Sequence, residues 1–119
     1  MSSQFVWFEL ASDSPGMARK FYEELLGWSG NEAGGYTMIP VTATSDIGAG
    51  IKPNAGMGTV PSHWAPYVSV PDVDAATKKA ATLGAKVVED VHDTPNGIVS
   101  TILDPTGATL NLWQALPGA

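Results

Sequence analysis

The feature that most constrains this chain is that it repeats itself. Phe5 to Leu10 reads as a strand and SDSPG as a turn, and Ala18, Phe21, Tyr22, Leu25 and Leu26 then fall at the spacing of one helical face. Ser14 stands where an N-cap belongs, Pro15 takes the first helical position and Gly27 closes the helix. Fifty-seven residues later Ala75, Leu83 and Gly84 repeat Ala18, Leu26 and Gly27. Tyr67 to Val70 is the matching strand, and Asp72 or Asp74 caps the second helix. Three strand candidates follow each helix: Trp28–Asn31, Tyr36–Pro40 and Ile47–Lys52 in the first half, Lys86–Asp93, Gly97–Leu103 and Thr109–Gln114 in the second. Turns at TPNG and DPTG separate the last three. Each half is therefore βαβββ, in modules 1–53 and 64–119 joined by an aperiodic Pro- and Gly-bearing linker, 54–63. So short a half cannot cover both faces of its own sheet, so the expectation is one α+β domain over residues 1–119.

Composition narrows the function. Hydrophobic residues make up 44% of the 119 and charged residues 15%, which favours a compact domain over a disordered segment. Six basic against twelve acidic residues give a net charge of −6, with no basic cluster to meet phosphates or an anionic membrane, so no nucleic acid and no membrane partner is expected. With no cysteine, disulfides, thiol nucleophiles and Cys-based metal sites are excluded. The opening MSSQFVWFEL lacks the basic start of a signal peptide, and the expected setting is the cytoplasm. Gly48-x-Gly50 and Gly56-x-Gly58 lack the further residues of nucleotide-binding loops and read as bends. His92 and Asp93, adjacent on a strand, point to opposite faces and cannot act together.

The repeat, with DSPGMARKFYEELLGW in the first half and DPTGATLNLWQ in the second, resembles the vicinal oxygen chelate superfamily. That superfamily holds glyoxalase I, extradiol dioxygenases, fosfomycin-resistance proteins and bleomycin-resistance binding proteins. The resemblance spans nearly the whole chain. It implies a glyoxalase-like curved mixed sheet around a cleft, and pairing of two chains as a homodimer. Metal enzymes of the superfamily draw ligands from four positions, which carried over here are Phe5, Gly50, Ala65 and Asn111. A divalent ion needs three or four N, O or S donors. Phe, Gly and Ala offer none and Asn one neutral oxygen, so the expectation is no metal and no cofactor. A shifted register through His63 or Glu9 is the alternative.

Strand alternation places Phe5, Trp7 and Glu9 toward the cleft, with Tyr67 and Ser69 on the matching strand and Asn111 and Trp113 on the last, while Val6, Phe8, Leu10, Val68, Val70, Leu110 and Leu112 pack on the helices. Met38 and Tyr36 join the cleft set from one register of the third strand and Trp64 from its mouth, in the linker. An aromatic, sparsely polar concavity suits a small molecule, and the rings suit a planar ligand or a cation that Glu9 could pair. The reading is a metal-free binding protein for a planar or aromatic ligand. The alternative is a metal-dependent lyase, isomerase or dioxygenase acting on a small metabolite.

Overall fold

A computed structural model describes residues 3–39, 48–54 and 61–117. It divides into an N-terminal unit, Trp7–Ala65, and a C-terminal unit, Pro66–Ala119 with Met1–Val6. In chain order the elements are β1 (Phe5–Ser12), α1 (Pro15–Leu26), β2 (Asn31–Ala33), β3 (Tyr36–Ile39), β4 (Ala49–Pro53), β5 (His63–Ser69), α2 (Val73–Thr82), β6 (Lys86–Thr94), β7 (Gly97–Leu103) and β8 (Thr109–Gln114). Residues 55–60 of the expected linker, Gly56 and Gly58 included, lie outside the described residues, as do Pro40 and Ile47.

The two units share one plan. In the N-terminal unit β1 pairs parallel with β4, β4 antiparallel with β3, and β3 antiparallel with β2. In the C-terminal unit β5 pairs parallel with β8, β8 antiparallel with β7, and β7 antiparallel with β6. Both are βαβββ modules, so the chain is α+β and its repeat is structural. Among the described residues no helix is long and apolar enough to cross a membrane.

Both helices end at a glycine-bearing turn, and they start differently. Gly27 takes the left-handed conformation (φ 72°) that most side chains resist, and its N–H bonds the Glu23 carbonyl at 3.0 Å. Ser14 holds the N-cap position of α1, but its side chain makes no capping bond. Asp72 does cap α2, its Oδ1 accepting from the Ala75 N–H at 3.1 Å, while Asp74 sits in the first turn and pairs with Lys78. The strand expected at Trp28 begins only at Asn31. The preceding residues are held back against α1. Trp28 stacks on Tyr22, and Glu23 Oε2 accepts from both the Gly30 N–H and Arg19 Nε at 3.0 Å. These bonds, led by the one from Gly30, hold the Glu23 carboxyl below its ordinary range.

The apolar stripe of α1 does not pack as its spacing suggests. Phe21, Leu25 and Leu26 are all more than half exposed, while Ala18, Arg19, Tyr22 and Glu23 are half-buried. The lock on Gly30 turns the Arg19–Glu23 edge inward and leaves the greasiest edge out. The core of the C-terminal unit follows the alternation closely. Val73, Ile102 and Leu112 form its centre, with Val68, Val70, Ala76, Ala80 and Leu110 around them. A polar pin crosses it: Thr77 Oγ1 donates to the Val73 carbonyl at 2.6 Å, which leaves the Ser100 hydroxyl, 2.8 Å away, to donate to Thr77.

The DPTG turn explains its own sequence. Asp104 Oδ1 accepts from Thr106 Oγ1 at 2.6 Å, the Thr106 N–H at 2.8 Å and the Ala108 N–H at 3.1 Å, and Gly107 supplies the positive φ of 94°. The Thr106 hydroxyl foremost, then the Ala108 N–H, hold the Asp104 carboxyl below its ordinary value. A carboxyl depressed by folding stabilises the native state above its unfolded pKa of about 3.9 and loses that contribution as pH falls through the folded value. Melting temperature followed by circular dichroism from pH 5 downward should fall less steeply for Asp104→Asn than for the native chain. Equal slopes would show that the turn does not couple protonation to folding.

Candidate functional site

Strand register fixes which side chains share a face. In the N-terminal unit Glu9 and Met38 each pair directly with Gly50, so all three lie on one face; Tyr36, Lys52 and Trp7, each two residues away along a strand, join them. The other face carries Thr37, Ile39 and Ile51 and belongs to α1. A Cβ built on Gly30, beside Arg19 of that helix, would meet Thr37 at 2.7 Å and Ile39 at 3.2 Å. The face α1 leaves uncovered therefore carries two large apolar side chains, Trp7 and Met38, around a polar set of Glu9, Tyr36 and Lys52.

That polar set is wired in series. Lys52 Nζ lies 3.2 Å from Glu9 Oε1. The Tyr36 hydroxyl donates to the Glu9 carboxylate and accepts from Trp7 Nε1–H at 3.0 Å. Burial foremost, and then the Glu9 charge, push the Tyr36 phenol well above its ordinary pKa, so it stays a protonated donor to the carboxylate. Two glycines make room. A Cβ on Gly50 would coincide with the Tyr36 hydroxyl and the ring carbon bearing it, and one on Gly48 would meet the Trp7 ring at 2.9 Å. These glycines of the GAG segment are thus the floor on which Tyr36 and Trp7 lie.

Glu9 is the unexpected element. Its side chain is only 7% exposed, against 36% for Lys52. A ligand on this face meets the ammonium first, with the carboxylate behind it and already taken by Lys52 and Tyr36. Of the expected site residues on this unit, the structure brings Trp7, Glu9 and Met38 together. Trp64 goes elsewhere. It belongs to β5 and packs edge-on against Tyr22 and Trp28 at 5.5 and 6.3 Å, with its Nε1–H donating to the Tyr22 hydroxyl at 3.2 Å. Tyr22 lies on α1 and Trp28 stacks on Tyr22, so Trp64 sits on the α1 side of its unit.

The C-terminal unit repeats the arrangement. Tyr67 pairs with Asn111, Ser69 with Trp113 and Thr101 with Asn111, which puts these five on the face opposite the Leu112 core. Asn111 is buried, its Oδ1 accepting from Thr101 Oγ1 at 2.6 Å. Trp113 lies over Gly97 as Tyr36 lies over Gly50, and donates its Nε1–H to the Asn96 carbonyl at 3.0 Å. Phe5, at the start of β1, is more than half exposed. His92 pairs not with Asp93 but with Glu89, 3.5 Å away on β6.

The four positions that resemblance assigns to a metal do not make a donor set. Phe5 and Ala65 carry hydrocarbon, Gly50 lies under Tyr36, and the Asn111 oxygen already accepts from Thr101. A shifted register gains little. Glu9 is bound by Lys52 and Tyr36, and His63 Nδ1 bonds the Pro61 carbonyl at 2.9 Å. Among the described residues no three His, Asp or Glu side chains gather where they could hold an ion. The described residues at these positions do not make a donor set that fits a divalent metal.

Two βαβββ modules, each with a helix on one sheet face and an aromatic–polar set on the other, define a class of small α+β domains built by duplication. A family model described as a glyoxalase-like domain matches residues 7–113, and the chain belongs to that family, within the vicinal oxygen chelate superfamily. Among curated proteins, "Anthracycline biosynthesis protein DauV" of Streptomyces sp. (strain C5) is 39% identical over 125 residues, covering 95% of this chain and 43% of that protein. "Putative glyoxylase CFP32" of Mycobacterium tuberculosis is 32% identical over 117 residues, covering 94% of this chain and 44% of that one. The chain thus spans less than half the length of these relatives. A solved member of the glyoxalase/bleomycin resistance protein/dioxygenase superfamily from Vibrio splendidus 12B01 superposes with a TM-score of 0.61 at 10% identity, over 97% of this chain and all of that one, and so shares its fold.

Proposed function

We propose that this chain is a metal-free small-molecule-binding domain of the glyoxalase/bleomycin-resistance type, and that it holds a planar or aromatic ligand on the uncovered face of its N-terminal unit. The observation that carries the reading is the fixed indole of Trp7 on the sheet face that also carries Met38. Gly48 and the Tyr36 hydroxyl set the ring's place before any ligand arrives, so stacking costs little ordering. The donor chemistry at the four metal positions supports the metal-free part. The anthracycline biosynthesis proteins among the relatives support the planar part by their name.

Tryptophan fluorescence titrated with a panel of planar aromatic compounds tests the reading. Saturable quenching is expected, and Trp7→Phe should weaken it several-fold, since aromatic pairs contribute roughly 0.5–1.5 kcal/mol and 1.4 kcal/mol is tenfold in affinity. Trp28→Phe, on the helix side, should leave affinity unchanged. A flat response across the panel at high micromolar ligand overturns the proposal. Elemental analysis of protein purified without chelator tests the metal-free part: stoichiometric Ni, Zn, Fe or Mn would favour the metal-dependent lyase, isomerase or dioxygenase instead.

A further inference from the structure

We propose that Lys52 is the polar reader of this site, and that the ligand is a planar aromatic molecule bearing an anionic oxygen, a carboxylate or a phenolate, rather than a cation. The inference rests on the binding reading above and narrows it. A buried carboxylate on an aromatic face suggests cation capture, and the geometry reverses that. Glu9 is buried, with its charge met by Lys52 at 3.2 Å and a further bond from the Tyr36 hydroxyl. A cationic ligand would find a carboxylate that is 7% exposed and already neutralised by the more exposed ammonium. Lys52 is the accessible member, and Glu9 is its only partner among the described residues. An ammonium has three N–H donors, so two remain to be given. The pairing with Glu9 also restrains a side chain that would otherwise lose much rotamer freedom on binding. The two charges cancel, so the face does not repel an anion even though the chain carries −6. An oxyanion at the edge of a ring stacked by Trp7 and Met38 would meet both unused donors.

The test uses two probes with one ring system and opposite charge, 2-naphthoate and 2-naphthylmethylammonium, titrated calorimetrically at neutral pH. The native chain should bind naphthoate at least fivefold more tightly. Lys52→Arg should keep the preference. Glu9→Gln combined with Lys52→Met, which removes both charges and keeps an acceptor for Tyr36, should bind the two probes alike, with its circular dichroism spectrum confirming the fold. Equal binding by the native chain, or an unchanged preference in the double variant, overturns the role of Lys52 and leaves the aromatic-ligand reading standing. If neither probe binds, the role assigned to Lys52 falls, and the aromatic-ligand reading is decided separately by the fluorescence panel. Should the double variant fail to fold, the native chain's preference and its survival in Lys52→Arg still decide.

Discussion

Gly50→Ala should cost this chain about 3 kcal/mol and lower its melting temperature by roughly 10 °C, a large effect for one methyl group. The space is occupied: a Cβ there coincides with the Tyr36 hydroxyl and its ring carbon. The backbone at Gly50 needs no positive φ, so conformational freedom is not the issue. The phenol must move instead. Overpacking of a fitted site costs about 1–3 kcal/mol, and the displaced hydroxyl leaves the buried Glu9 one donor short, which adds about 1–3 kcal/mol. The test is specific, because Tyr36→Phe should not rescue the alanine variant: ring carbons crowd the same Cβ, one of them at 2.6 Å. Tyr36→Ala should relieve the clash. Urea denaturation of the native chain and the three variants measures this, and a Gly50→Ala chain as stable as the native one would mean Tyr36 does not lie where the structure puts it.

The second large effect is expected at Lys52. Lys52→Met should destabilise the fold by about 2–3 kcal/mol, because it removes the counter-charge of a carboxylate that has little access to water. Lys78→Met removes an ion pair of similar length, 3.1 Å, whose partners are 78% and 62% exposed, and should cost about 0–0.5 kcal/mol. Adding Glu9→Gln to Lys52→Met should recover most of the loss, since the amide stays an acceptor for Tyr36 and leaves no buried charge. A double variant no more stable than Lys52→Met would show that the pair contributes through packing of the lysine stem rather than through charge. Chemical denaturation at constant pH separates the two.

The parts of the fold set by local chemistry were legible from the residues. Gly27, the Asp72 cap and the DPTG turn act within a few positions of themselves, and the 57-residue repeat exposed the duplicated plan. Trp7 and Glu9 were placed by alternation along a single strand. Tyr36 is legible beside Met38 from alternation along β3, whereas Lys52 is not legible as a member of the site, because its meeting with Glu9 depends on which residue of β4 lies opposite β1, a register no single strand reveals. The one local clue was Gly50, a residue without a side chain in a strand whose neighbours Ala49 and Ile51 are buried. Trp64 was misplaced for the converse reason. Its strand begins at His63, earlier than the apolar pattern suggests, and the indole packs against Tyr22 and Trp28 on the α1 side. The α1 stripe misled because apolar spacing shows where a helix is greasy and not which edge a competing anchor will turn inward.

The outward edge of α1 has a colloidal consequence. Met17, Phe21 and Leu25, four residues apart, stand 75%, 56% and 62% exposed, and near neutral pH the chain's six surplus negative charges keep such edges on different molecules apart. As acid neutralises the carboxylates that repulsion fades while the greasy edge is unchanged. Precipitation then competes with unfolding, and the margin between them depends on three side chains with no part in the ligand face.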